Sequence, residues 1–183
     1  VNLFTTGIDG DPENSIGFSL LSDELIVSWE YGGGTNYNFT LADDTPVNQW
    51  VYLTIVWDGS TISIFKNENM IAQDTPPNGP GDTANRSYLI GGGYGKIRNV
   101  SYWSFPLALD QIQSNMNNLI LGDEVGLVGY WNFEEGAGTT SADLSGNGND
   151  ATIVGSTWID ESAQLESNCL LYTSDAADDS LRV

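Results

Sequence analysis

The residues with chemistry to offer in this sequence are carboxylates, amides and phenols. There are 25 Asp and Glu against 5 Lys and Arg, no histidine, and a single cysteine, Cys169. Without histidine, Ser-His-Asp and Cys-His mechanisms are excluded, and a zinc centre lacks its usual ligands. Gly91-Gly92-Gly93 is not followed by Lys-Ser/Thr, so it does not cradle phosphate and reads as a bulge or tight turn. The strongest cluster is Asp143, Ser145, Asn147, Asn149 and Asp150, spaced around Gly146 and Gly148. Oxygens in that spacing suit a calcium ion, although the terminal Glu of a twelve-residue EF-hand loop is missing. The same residue types also make an Asx/Gly turn between two strands. Asp9-Gly10-Asp11-Pro12-Glu13 is a second acidic run open to both readings. Tyr31, Asn36, Tyr37 and Tyr94 stand near glycines and join flat apolar faces to hydrogen-bonding groups, as ligand-contacting residues do.

The elements that must carry these groups are short and β-like. Residues 15–21 and 24–30 alternate around Ser22-Asp23, the pattern of a hairpin. Tyr37, Phe39 and Leu41 share one face of the next strand. Residues 50–57 are nearly continuously apolar, as for a central strand covered on both sides. Asp58-Gly59 is a hairpin-turn dipeptide, and Ile62 and Ile64 share a face of the returning strand. Trp50, Trp57, Trp103 and Trp131 lie in apolar strands and are expected in the core. Leu109, Ile112, Met116 and Leu119 predict one helix over 108–119. Strands at 127–133 and 151–154 complete about ten strands and one helix, an all-β, two-sheet antiparallel sandwich.

Three stretches carry a family resemblance. Trp50-Val51-Tyr52-Leu53-Thr54-Ile55-Val56-Trp57-Asp58-Gly59, with Ile62-Ser63-Ile64-Phe65-Lys66-Asn67 after it, resembles the core hairpin of laminin-G-like domains. The segment from Gly95 through Trp103 to Leu107 looks like the pentraxin strand that leads into its single helix. Residues 126–136 with 143–150 are similar to a bacterial laminin-G-like jelly-roll signature. The resemblance to the concanavalin A-like lectin/glucanase group covers about residues 15–160 and implies a jelly-roll sandwich that recognises carbohydrate or a protein partner. It also implies several strands ahead of Val1, so the first strands of the domain are expected to be missing. The pentraxin double-calcium loop would fall between Gly81 and Gly95, where only Asp82 is acidic. Retaining glucanases of this group carry Glu-x-Asp-x-x-Glu on one strand, and this sequence has none. Glu134 and Glu135 are adjacent and point to opposite faces of a strand, so they do not form the two-carboxylate pair of a glycosidase.

The formal charge of −20 repels nucleic acid and anionic lipid, and no apolar run is long enough to span a membrane. Residues 169–178 resemble the in-frame translation of a sequencing-library adapter, so residues 166–183 are expected to be a non-native or disordered tail behind one domain at 1–165. The sequons at Asn38, Asn85 and Asn99 have meaning only in a eukaryotic secretory pathway. The expectation is therefore a non-catalytic extracellular or cell-surface module within a larger multidomain chain. It would bind a glycan or an extracellular protein, with calcium as the one candidate cofactor. A structural spacer of a surface adhesin is the second reading and a truncated glycoside hydrolase the third.

Overall fold

Alternating apolar residues need a second apolar surface to face, and the interior shows how that is met. The computed structural model describes residues 2–6, 16–21, 24–31, 35–42, 49–77, 88–90 and 95–159. The acidic run at 9–13, the glycines at 91–93, Tyr94 and the tail lie outside the described residues. The larger sheet is built from β1 (Asn2–Thr6), β2 (Ile16–Leu21), β3 (Glu24–Tyr31) and β4 (Thr35–Ala42), joined later in the chain, after three strands of a separate sheet, by β8 (Tyr88–Ile90). Its order is β4-β3-β2-β1-β8, and every pairing in it is antiparallel. The second sheet is a meander of β5 (Leu53–Trp57), β6 (Ile62–Lys66) and β7 (Asn69–Asp74).

The two sheets share one interior. Leu25 and Val27 of β3 cluster with Ile62 and Ile64 of β6, and none of the four is more than 1% exposed. Tyr37, Phe39 and Leu41 of β4, Leu53, Ile55 and Trp57 of β5, and Ala72 pack around them. In β4 the residues between them, Asn38 and Thr40, are exposed, as the two-residue period requires. The β5–β6 turn is held by Asp58, whose Oδ1 accepts from the Ser60 amide at 2.9 Å and the Thr61 amide at 2.7 Å. Asn67 makes the next turn with φ at 55°. Its Oδ1 accepts from the Tyr52 amide at 3.0 Å while its own amide donates to the Tyr52 carbonyl at 2.7 Å.

Two expectations are corrected here. The apolar run at 50–57 is not one continuous strand: β5 begins at Leu53, and among the described strands it lies at the edge of its sheet, with β6 in the middle. Trp50 is 43% exposed and lies under the Arg98 guanidinium, 4.3 Å from its ring centre, a cation–π contact that needs no burial.

The C-terminal half makes a second, smaller core. β9 (Val100–Trp103) leads to α1 (Leu109–Asn117), and the chain returns as β10 (Leu127–Trp131), which pairs antiparallel with β9. Ile120, Leu127 and Tyr130 are buried there with Trp103 against them. The helix is shorter than its periodicity suggests. Ile112 is buried, but Leu109 is 48% and Leu119 73% exposed. At its start Gln111 Oε1 accepts the Ala108 amide at 2.9 Å. At its end the Asn118 amide donates to the Ser114 carbonyl and Asn118 turns extended, leaving Leu119 outside. Short strands β11 (Thr140–Ser141) and β12 (Ala151–Thr152) pair with each other and close the base of the loop between them.

Candidate functional site

Of the phenol and amide candidates, Tyr37 is the one whose side chain is described. Tyr37 is partly buried: it packs against the inter-sheet core and its hydroxyl donates to the Asp74 carboxylate at the end of β7. It thereby ties one sheet to the other. Burial first, then the Asp74 hydrogen bond and charge, push its pKa far above that of an ordinary phenol. Tyr31 ends β3 opposite Thr35, and Asn36 lies opposite Glu30. Tyr94 lies outside the described residues.

The five oxygen-rich residues are brought together in one loop against β10. Asp143, 8% exposed, is its hub. Its Oδ1 accepts from the Tyr130 amide at 3.0 Å, the Ser145 amide at 2.9 Å and Ser145 Oγ at 2.6 Å, and its Oδ2 accepts from the Asn149 amide at 2.9 Å. Asp150 Oδ1 accepts the Asp143 amide at 2.9 Å. The side-chain amides of Asn147 and Asn149 donate to the Val128 carbonyl at 3.1 and 2.9 Å, and Trp131 Nε1 donates to the Asn149 carbonyl at 2.8 Å. Burial raises the Asp143 pKa, but the hydrogen bonds from Ser145, Tyr130 and Asn149 outweigh it and hold the carboxyl below the usual range. Gly122 meets this loop so closely that a Cβ there would stand 2.0 Å from the Leu144 carbonyl oxygen. Among the described residues no three of His, Cys, Asp and Glu converge as metal ligands.

A third site was missed by sequence reasoning. Between β9 and α1 lies a cleft of about 290 Å³. Trp103, Phe105 and Leu107 from β9 and the segment after it line the cleft together with Gln111, Ser114 and Asn115 of α1. The last three recur at the i, i+3, i+4 spacing that puts residues on one strip of a helix, and this polar strip was the signal available. The Trp103 and Phe105 rings are tilted by 59° with centres 6.4 Å apart. Trp103 Nε1 is satisfied by Ser101 Oγ at 3.0 Å. Glu124 also lines the cleft, its Oε1 accepting the Leu121 amide at 2.7 Å and its Oε2 the Gly122 amide at 2.9 Å. Burial pushes its carboxyl up, but those amides outweigh it and keep it below the usual range.

Gly126 sets the position of Phe105. It has φ at +82°, and a Cβ there would stand 1.9 Å from the Phe105 ring, while its carbonyl accepts from the Ser104 amide at 2.9 Å and Ser104 Oγ at 3.1 Å. Gly126→Ala combines a disfavoured backbone with a collision. It is expected to destabilise the fold by about 2–3 kcal/mol, measured by urea unfolding, and to displace the ring lining the cleft.

Among curated proteins nothing matches the chain. Two solved structures are similar to it. One is described as a "putative carbohydrate binding protein" from Bacteroides ovatus, with a TM-score of 0.56 and 18% identity over 87% of this chain. This chain spans 57% of that protein's length. The other is an S-layer domain-containing protein of Clostridium thermocellum, with a TM-score of 0.31 and 13% identity over 63% of this chain and 62% of that one. The family model described as the concanavalin A-like lectin/glucanases superfamily matches residues 2–113. A match of that length, on antiparallel sheets that close over one interior, makes the chain a member of the concanavalin A-like lectin/glucanases superfamily.

Proposed function

We propose that this chain is a non-catalytic, glycan-binding module of a secreted or surface protein. The superfamily contains both binders and hydrolases, so the deciding question is what the carboxylates do. A glycosidase of the usual kind needs two facing carboxyl groups, one with a raised pKa so that it can donate a proton. The observation that carries our reading is the hydrogen bonding of four carboxylates among the described residues, each committed to its own turn or loop. Asp58, Glu124, Glu135 and Asp143 are each held below their usual range. Each is occupied with backbone or hydroxyl donors: Glu135, for example, accepts Ser141 Oγ at 2.7 Å and the Ala142 amide at 2.9 Å. These are carboxylates that hold turns together. The carbohydrate binding named for the Bacteroides ovatus protein agrees with this reading.

The oxygen-rich loop serves, in the same proposal, as a clasp on β10. A calcium ion takes six to eight oxygen ligands, but both Asp143 oxygens already face N–H donors, and the side-chain amides of Asn147 and Asn149 turn their nitrogens to Val128. The residues as arranged do not fit the ion.

Arrayed neutral and anionic glycans test the function. Binding to one or more neutral glycans is expected, with anionic ones disfavoured by the charge of −20. No binding to any arrayed glycan would favour a structural spacer instead.

A further inference from the structure

We infer that the cleft between β9 and α1 is the seat of one neutral pyranose ring, an assignment that rests on the glycan-binding reading above. The first ground is composition. Trp103 and Phe105 supply flat apolar surface, and the Trp103 indole N–H is already spent on Ser101. What that wall offers a ligand is therefore ring and not hydrogen bond. Sugar rings present C–H-rich faces to such surfaces and hydroxyls at their edges, and the helix strip of Gln111, Ser114 and Asn115 that lines the same cleft is polar.

The second ground is independent. Asn115 Nδ2 is buried and has no hydrogen-bond partner, and it is the one such side-chain atom among the described residues. A buried donor without an acceptor is costly, and native structures seldom keep one without a use for it. Rotation of the Asn115 amide about its last side-chain bond is the least disruptive way for that donor to find an acceptor, and the cleft its residue lines is where one can be brought. A hydroxyl oxygen of a sugar is such an acceptor, and it carries no charge.

Size and charge narrow the class further. At about 290 Å³ the cleft lies at the lower end of small-molecule sites, roughly 300–1,000 Å³. It holds one ring rather than a stretch of polymer. Glu124 at its end has both oxygens committed to amides of its own loop. It therefore adds negative potential without offering itself to a ligand, which disfavours acidic sugars. Val125 beside it is 86% exposed and Phe105 37% exposed, so the cleft opens to solvent between apolar lips.

The experiment is an NMR titration of the ¹⁵N-labelled full chain with methyl pyranosides of glucose, galactose, mannose, xylose and N-acetylglucosamine, run to millimolar concentrations. It is repeated on Asn115→Leu and Phe105→Ala, and on any neutral oligosaccharide that the array identifies. Saturable shifts are expected with at least one sugar, led by the Trp103 indole and Asn115 side-chain amide signals. Asn115→Leu removes an unpaired buried donor, so its melting temperature is expected to equal or exceed that of the parent while sugar affinity falls at least tenfold. Phe105→Ala, at the exposed lip, is expected to weaken binding severalfold with the fold retained. If a sugar binds but the Trp103 and Asn115 signals stay still, or Asn115→Leu binds as the parent does, the cleft assignment is overturned and glycan binding stands. If no sugar or array glycan gives a saturable shift anywhere, both are overturned.

Discussion

Ile64→Ala is expected to cost about 4 kcal/mol of folding stability, enough to unfold a marginal domain. Ile64 is 0% exposed and sits in the central strand of its sheet, opposite Ile55 of β5 and Ala72 of β7. Its side chain also meets Leu25 and Val27 of the other sheet. Truncation removes three carbons from a site walled on all sides. The transfer loss and the cavity then add, and isoleucine-to-alanine changes in such cores cost about 2–5 kcal/mol. The upper half of that range applies because the neighbours belong to two sheets held by their own hydrogen-bond ladders and cannot easily collapse inward. Urea unfolding followed by tryptophan fluorescence gives the number. Combining Ile64→Ala with Val27→Ala should give less than the sum of the two losses, since both open the same space. Strict additivity would mean that the sheets do not share an interior there.

Asp143→Ala is expected to cost about 3–5 kcal/mol. It strands the amides of Tyr130, Ser145 and Asn149 around a residue that is 8% exposed. A stranded donor costs about 1–3 kcal/mol, with the sum reduced because the loop will move and admit water. Asp143→Asn keeps one acceptor but turns an NH₂ group toward another donor, and should cost about half as much. The pH dependence follows from the sign of the shift. The folded pKa lies below the unfolded one, so this contribution is present above the ordinary Asp pKa of about 3.9 and is lost as pH falls through the folded value. Glu124 and Glu135 are shifted in the same direction and steepen the same acid limb. Parent and Asp143→Asn should therefore differ most near neutrality and converge in acid. Removing calcium with EDTA should leave the parent's unfolding midpoint unchanged, because the clasp is made of amide donors.

Much of this architecture is readable before any coordinates. The alternation at Tyr37, Phe39 and Leu41, and at Ile62 and Ile64, names the core residues of two facing strands, because period-two patterning has one physical meaning in a half-buried strand. Asp58-Gly59 marks its turn for an equally local reason. Trp50 was misplaced because its partner, Arg98, is far along the chain, and pattern gives no account of what stacks on an exposed ring. The spacing draws the helix too long because Leu119 continues the apolar period past Asn118, where the helix ends, and because Ala108 is its cap, with its amide held by Gln111. At the site, the spacing of 143–150 groups its polar residues, yet what their oxygens and amides face depends on β10, which supplies the Tyr130 donor and the Val128 acceptor. The cleft was invisible for a related reason: Trp103 reads as core in its own strand, and only the return of α1 beside it makes its neighbourhood a concavity.

The central claim, that this member of a lectin and glucanase superfamily binds neutral glycan without cutting it, is open to one direct measurement. The intact chain is titrated calorimetrically with the neutral glycan that gives the strongest array signal, and reducing ends are counted in the same sample over the following hours. The account predicts a saturating heat and a constant reducing-end count. A count that climbs with protein concentration would contradict it.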